Sequence, residues 1–482
     1  MTRSGRHRLA LVCAGSMLGI GAGKARPLPA RLVLETRGGP DTLVLSLKWE
    51  HRARPKALQV VPSPEGLRIT LRPTPGQLRD DVRQTGDALL PLVTATASRD
   101  EVVVGVPWTY PLPFEAAEGK DDLTVTLRKT FVRVASRSLI PGVVLLEEEV
   151  GREEGRHRNV LVVANPGAAH LRLLNRQGSR LESTGNIARR HQPIAAVNGG
   201  YFSPRDGFAL GLVQQDERIL SGPIHARTAL HLAGKNLSVA RASVQPWILL
   251  PGGESAEVDQ VNVLPAAADG LSLFREPWSN RSGTRGDNDS LELAVSRDGV
   301  VLGVGQRDMG LPPGGWVVHA RGVRANWLAA RARRGTVMNL HEPTREFWGL
   351  DGDALGAGPE LVRDGQVQIS QEERFRADIM RGRHARTAVG IGRDGRIILL
   401  TTAQDRAGDL GMSLEEAAAT LVRWGAWQGL NLDGGTSTTL WTPNGTLVGQ
   451  RPERPVANAL GLFPGTSGAV VQEPMAVEGT AP

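Results

Sequence analysis

Apolar and polar residues alternate along short runs in the first part of the chain. Leu43-Val44-Leu45-Ser46-Leu47, Leu67-Arg68-Ile69-Thr70-Leu71 and Leu123-Thr124-Val125-Thr126-Leu127 place an apolar side chain at every second position. That period is the mark of a strand with one buried face. Arg31-Leu32-Val33-Leu34 reads as a further strand, and Pro/Gly clusters bound these runs. Pro107, Pro111 and Pro113 argue for edges or loops between them. Residues 26–136 are therefore expected to form a small β-rich accessory domain. No catalytic constellation appears in it, and it reads equally as a wall- or glycan-binding module or as a packing appendage.

A junction at Arg137-Ser138-Leu139-Ile140-Pro141-Gly142 leads into a second region, whose first strands are Val143-Val144-Leu145-Leu146 and Val160-Leu161-Val162-Val163. One helix is well signalled. Ser413 and Glu416 have the spacing of a capping box, Leu414, Ala417, Ala418, Leu421 and Val422 form an apolar stripe, and Gly425 is placed to end the helix. The strand Leu430-Asn431-Leu432 follows and sets Asp433 at its end. Residues 251–290 are polar and loop-like, the composition of an insertion or a pocket rim. The segment 465–482 is expected to be a disordered tail.

The N-terminus changes the picture of where the protein works. Thr2 to Arg8 is basic, Leu9 to Gly23 is apolar or small, and Gly23-Lys24-Ala25 is a small-x-small site before Arg26-Pro27. Residues 1–25 thus read as an export signal, and the apolar run is shorter than the ~20 residues of a bilayer span. The single cysteine, Cys13, lies inside it. Cleavage would leave an exported, periplasmic or extracellular chain with no cysteine and no stable membrane span. The net charge of +7 includes Arg3, Arg6, Arg8 and Lys24, so the remainder carries +7 − 4 = +3. With its charges well mixed and no nucleic-acid-binding motif, the chain is not expected to bind nucleic acid. At 482 residues it exceeds one ordinary core and suggests two or three domains.

Chemistry concentrates in two clusters far apart in sequence. Asn431-Leu432-Asp433-Gly434-Gly435-Thr436-Ser437-Thr438-Thr439 sets a carboxylate before two glycines and a row of hydroxyls. Asn198-Gly199-Gly200-Tyr201-Phe202-Ser203 is of the same type. Glycine lets backbone and ligand approach closely, and hydroxyls and free N–H groups can surround an anion or a sugar. Either cluster alone also suits a tight turn. The context between and around them is more specific: Arg386-Thr387-Ala388-Val389-Gly390-Ile391, then Gly411-Met412-Ser413-Leu414-Glu415-Glu416-Ala417, then Arg454-Pro455-Val456-Ala457-Asn458-Ala459. In this order the motifs resemble the phosphodiester glycosidase family over residues 140–464, most strongly in 384–463. Its best-known member removes N-acetylglucosamine from a phosphodiester and leaves a phosphomonoester. This chain departs from the family pattern at Thr436, where a third glycine is usual, at Ala385, where proline is frequent, and at Gln404-Asp405-Arg406, where Asp-Gly-Arg is common.

The resemblance implies an α+β fold: a mixed-sheet phosphodiester glycosidase domain with covering helices, preceded by the small all-β domain. It implies a hydrolase that cleaves a sugar from a glycosyl-1-phosphodiester in envelope or extracellular glycans, with a glycosyl phosphodiester or anionic envelope glycan as its partner. Two other readings stay open: a non-catalytic binder of anionic cell-wall glycans, and a phosphodiesterase that breaks the P–O bond. The chemistry needs a carboxylate, cationic groups for the phosphate and support for an oxocarbenium-like centre. Asp433 is the leading carboxylate, with His384 as a second candidate acid or base. Arg386 and Arg227 are candidates for the phosphate, because guanidinium presents paired donors to phosphate oxygens. Arg454 is a further cation, although an ion pair within the scaffold explains it as well. Asn198, Gly199, Gly200, Tyr201, Thr387, Gly434, Gly435, Ser437 and Thr438 complete the expected substrate-binding set. Arg227-Thr228-Ala229-Leu230 echoes Arg386-Thr387-Ala388-Val389, as two related strands facing one site would. No cofactor is expected, and no spacing suggests a metal site.

Overall fold

In the computed structural model, residues 7–8, 32–49, 54–72, 81–85, 87–98, 101–178, 180–205, 207–264, 268–285, 289–404 and 406–465 are described. The expected export signal (apart from His7 and Arg8), with Cys13, and the tail beyond Gly465 lie outside these residues.

The alternating runs near the N-terminus become two antiparallel sheets. One holds Leu32–Gly38, Thr42–Trp49, Phe114–Glu118 and Asp122–Arg128, with Val125 paired to Leu45. The other holds Ala57–Ser63, Gly66–Arg72, Asp81–Gln84, Leu92–Ala97 and Val102–Pro107. Burial alternates along Thr42–Trp49, Val102–Pro107 and Asp122–Arg128. The inward side chains, among them Leu45, Ile69, Val104 and Val125, form one cluster between the sheets. The next strand, Phe131–Ile140, pairs along its length with Val143–Arg152. The boundary expected at 136 therefore falls inside a strand, and 141–142 is a hairpin turn in which Gly142 has φ +78°.

An eight-stranded sheet carries the chemistry. Its order is Phe131–Ile140, Val143–Arg152, Gly155–Ala164, Ile397–Thr402, Arg386–Ile391, Gln428–Asn431, Glu360–Arg363 and Gln366–Val367. Every pairing between neighbours in it is antiparallel. Hairpins join most neighbours, and the helical crossover from Ile397–Thr402 through Leu414–Arg423 to Gln428–Asn431 skips Arg386–Ile391, which lies antiparallel between the two parallel strands it connects. Parallel and antiparallel pairings are mixed in another sheet of this region, where Gln260–Val261 runs parallel to Leu271–Phe274 and the remaining pairs are antiparallel.

The helix Leu414–Arg423 covers one face. Ser413 accepts from the Glu416 N–H, and the Glu416 carboxylate accepts from the Ser413 N–H, completing the capping box. Leu414, Ala417, Ala418 and Leu421 pack with Leu161, Ala388, Ile398 and Leu400. The opposite face, with Val160, Val162, Val389, Leu399 and Leu430, packs against a second sheet through Leu171, Val197, Leu440, Leu460 and Leu462. That sheet is Ala169–Asn175, Asn458–Pro464, Ala195–Asn198, Leu440–Thr442 and Gly445–Val448, in this order. The site lies where the ends of these two sheets meet.

Residues 251–290 contain more structure than the loop-like composition suggests. Leu271–Phe274 is a fully buried strand paired with Trp316–Arg321. With Leu293, Val295 and Val318 it forms a second large cluster, beside a sheet that holds Thr228–Ala233 and Asp353–Gly356. A four-residue buried run is too short to show a period. Among the described residues no helix is long and apolar enough to cross a membrane.

Candidate active site

Asn198 ends a strand of the second sheet and joins the two distant motifs. It is fully buried, and its amide donates to the Asp433 carbonyl at 2.6 Å. Its Oδ1 accepts from Thr387 Oγ1 at 2.7 Å and from the Thr439 N–H at 3.0 Å. The Asp433 N–H donates to the Gly199 carbonyl at 3.0 Å. Three segments are thus locked together through one side chain, because a buried amide must satisfy its donors and acceptors locally. Asn458, also fully buried, accepts from the Gly200 N–H at 2.9 Å.

The glycines divide into two groups. A Cβ on Gly199 would collide with Asn458, on Gly200 with the Gly356 carbonyl and on Gly434 with the Ala385 carbonyl. These three are required by close packing of the chain on itself. Gly435 differs: it has φ +60° and open space where a Cβ would sit. It starts the 3-10 turn Gly435–Ser437, which brings the hydroxyls round to Asp433.

Asp433 is partly buried, and burial pushes its carboxyl up from 3.8 to about 6. A hydrogen bond from the Ser437 side chain, the Gly434 N–H and the nearby Arg454 charge oppose that shift without cancelling it. Arg454 donates to Thr436 Oγ1 at 2.7 Å, which holds its guanidinium on this side of the turn. Tyr201 donates to the Gly358 carbonyl at 2.8 Å and accepts from Asn431 Nδ2 at 2.9 Å. Burial, then the Asp433 charge, push the Tyr201 phenol up, while Arg386 and Arg227 pull against them. Tyr201 therefore senses the charges of Asp433, Arg386 and Arg227. Three polar atoms in this cluster, Thr438 Oγ1, Asn431 Oδ1 and Asn458 Nδ2, are buried with no hydrogen-bond partner. Such atoms are uncommon in folded proteins.

The two candidate phosphate arginines are engaged with the chain itself. Arg386 is 3 % exposed and donates through Nε to the Met412 carbonyl and through Nη2 to the Ile379 and Gly382 carbonyls. Side-chain alternation explains this: Thr387, like Val389, faces the second sheet, so Arg386, like Ala388, faces the helix side. Arg227 donates through Nε to the Glu373 carbonyl and through Nη2 to the Arg374 carbonyl, and its guanidinium lies 3.9 Å from the Phe375 ring centre. Phe375 in turn packs on Tyr201 at 5.4 Å. The echoed Arg-Thr-Ala motifs thus hold one segment, 373–382, from its two ends. On each arginine only Nη1 has no bond among the described residues.

The His384 side chain has no described bond to the cluster: its Nε2 meets the Asp378 carbonyl at 3.0 Å, and only its backbone N–H shares the Met412 carbonyl with Arg386 Nε. Phe202 belongs to the core with Leu174, Ile187 and Val456. Several residues of the site were not singled out from sequence: Glu373, Phe375, Asn431 and Asn458. Glu373 is fully buried, and its carboxylate accepts the Thr228 and Glu360 N–H groups at 2.9 Å each. Asn431 and Asn458 are lone amides in apolar runs, a signal that the sequence does offer. Glu373 and Phe375 lie in a stretch with no periodic or motif signature.

Residues 289–463 match the family model of the phosphodiester glycosidases. The match contains Arg386, Asp433 and Arg454, and leaves Asn198 to Tyr201 and Arg227 outside it. No curated protein matches the chain. A solved hypothetical protein from Synechocystis is 23 % identical, with a TM-score of 0.63, 93 % of this chain covered and 83 % of the other. A candidate exported protein from Burkholderia pseudomallei is 17 % identical, with a TM-score of 0.53, covering 93 % of this chain and all of the other. These two show a shared fold. The catalytic domain of zebrafish N-acetylglucosamine-1-phosphodiester alpha-N-acetylglucosaminidase is 16 % identical over 69 % of this chain and 87 % of that one, with a TM-score of 0.35, too loose to transfer any residue. The likeness to the phosphodiester glycosidase family read from the Arg386-Thr387, Asp433-Gly434-Gly435 and Arg454-Pro455 motifs is thus shown over residues 289–463 of the chain.

Proposed function

We propose that the protein is an exported hydrolase that cleaves a sugar from a glycosyl-1-phosphodiester of an envelope or extracellular glycan, with Asp433 at the reacting centre. The observation that carries this reading is the Asp433 carboxyl, raised to about 6 beside Ser437, Arg454 and an unpartnered Thr438 hydroxyl. A group that titrates near neutrality is suited to accept or return a proton. In this reading Asp433 takes a proton from a water whose oxygen attacks the anomeric carbon. The bond from that carbon to the phosphate oxygen breaks, and the phosphomonoester leaves with the electron pair. The leaving group departs as a phosphomonoester dianion, whose conjugate acid has a pKa of about 6, so it needs charge stabilisation more than a proton. Arg454 is best placed to supply it, because its guanidinium has a single described hydrogen bond and lies within electrostatic reach of Asp433. Arg386 and Arg227 each offer Nη1 and a delocalised charge, and not the paired donors expected from sequence.

Export and a periplasmic or extracellular site of action belong to the same proposal, on the strength of the N-terminal sequence. The test is to incubate the protein with a panel of sugar-1-phosphodiesters in oxygen-18 water and identify the products. Label in the released sugar is the expected result. Label in the phosphate would reveal P–O cleavage instead. Binding without turnover on every member would make the protein a glycan binder.

A further inference from the structure

A second concentration of guanidinium groups lies away from Asp433. The strands Arg218–Ser221, Trp316–Arg321 and Asn339–His341 and the turn at 297–299 enclose a cavity of about 540 Å³. None of these elements contributes a side chain to the Asp433 cluster. The volume is within the range of small-molecule sites, roughly 300–1,000 Å³. Arg218, Arg275 and Arg297 line it, with Asp298 and Glu342 as its acids and Trp316 as an aromatic wall.

The charges in this cavity are not balanced. Arg275 is 1 % exposed, and its Nη1 bonds both Glu342 oxygens, at 2.9 and 3.0 Å. Glu342 Oε1 also accepts the Ile219 N–H at 2.7 Å, so its oxygens are already engaged. Arg275 Nε is buried with no partner. Arg218 and Arg297 form no ion pair among the described residues, and Asp298 bridges to neither. Burial depresses the Arg275 guanidinium, Glu342 opposes this, and the nearness of Arg218 adds to the depression. Three arginines against Asp298 and Glu342 leave the cavity a net charge of +3 − 2 = +1, and with a buried donor unused it has an unmet demand for negative charge. Guanidinium forks match the oxygens of a phosphate, and Arg218 and Arg297 are the two lining forks without an ion pair among the described residues.

We propose that this cavity is a binding site for a small phosphomonoester, separate from the Asp433 site, with Arg218 and Arg297 holding the phosphate. Trp316 is 5 % exposed and offers an apolar wall to the organic part of the ligand. The inference stands independently of what Asp433 does.

Titration calorimetry of the full chain with glucose-1-phosphate and with inorganic phosphate tests it. Three proteins are compared: the unaltered chain, Arg218→Gln and Arg297→Gln. Arg297 is exposed, so its variant keeps the fold, as an unchanged melting temperature confirms. Loss of one charge-assisted contact is expected to weaken glucose-1-phosphate binding about tenfold or more in each variant. Binding should also weaken as salt is raised, and glucose should not bind. Unchanged affinity in both variants would place the bound phosphate elsewhere, at the Asp433 cluster, and overturn the proposal. Absence of phosphate binding by the unaltered chain at millimolar concentration would overturn it equally.

Discussion

Asp433→Asn removes a charge that the fold holds at a cost, so it should make the protein more stable at neutral pH while disabling it. The carboxyl titrates at about 6 in the folded chain against 3.8 for a free side chain, a rise of roughly two units caused mainly by burial. At 1.36 kcal/mol per unit, ionised Asp433 lowers stability by about 3 kcal/mol once the pH is above both values. The sign follows from proton binding. The folded state holds the proton more tightly, so the favourable contribution is complete below 3.8 and is lost as the pH rises through 6. Asparagine keeps the shape and still accepts from the Gly434 N–H, but it gives up the hydrogen bond from Ser437, worth about 1 kcal/mol. The net gain expected above pH 6 is therefore about 2 kcal/mol. The assay is a series of thermal melts of both proteins between pH 3.5 and 8. The variant should match or fall slightly below the parent at the acid end, overtake it between pH 4 and 6, and stay ahead by a constant margin above that. A variant that melts lower than the parent across the whole range would show that Asp433 is a turn-stabilising carboxylate, and the reasoning from burial would fail.

The other expectations follow from how the site is held. Arg386→Lys leaves one ammonium to replace three bonds to the Met412, Ile379 and Gly382 carbonyls; it should lower stability by about 1–3 kcal/mol and reduce kcat/KM for charged and uncharged glycosides alike. A loss confined to phosphodiesters, at an unchanged melting temperature, would return Arg386 to direct phosphate binding. Leu421→Ala empties a fully buried position between the covering helix and the sheet and should cost about 2–5 kcal/mol, read by denaturant unfolding; a cost below 1 kcal/mol would mean that the helix packs loosely. A chain that begins at Phe131 should retain cleavage of small substrates, whereas one that begins at 137 loses most of an edge strand and should melt lower. Equal melting temperatures of the two would show that this strand is dispensable.

Much of this organisation was legible because local signals and tertiary needs coincide in particular places. Ser413, Glu416 and the stripe from Leu414 to Leu421 specify a helix by capping and by period together, and the helix forms there. Strands such as Asp122–Arg128 alternate strictly and are found as written. The repeated Arg-Thr-Ala motifs pointed to a shared location, and both arginines do reach segment 373–382. What they do there was not legible as read. Treating Arg386 and Thr387 as one pocket-facing pair overlooks that neighbours on a strand face opposite sides. Phe131–Ile140 was divided by the expected boundary because most of its side chains are exposed and show no alternation in burial. Glu373 owes its place to the two N–H groups it satisfies, and nothing in the neighbouring sequence reports a partner 145 positions away.

The central claim is that Asp433 is the proton acceptor in hydrolysis of a glycosyl phosphodiester. The most direct measurement is kcat/KM for such a substrate as a function of pH, for the parent and for folded Asp433→Asn. For the parent, the account predicts a rate that rises with pH through an apparent pKa near 6 as Asp433 ionises. For Asp433→Asn it predicts a loss on the order of 100-fold or more and no such rise. A variant that turns over at the parent's rate, or that keeps the same acid limb, would contradict it.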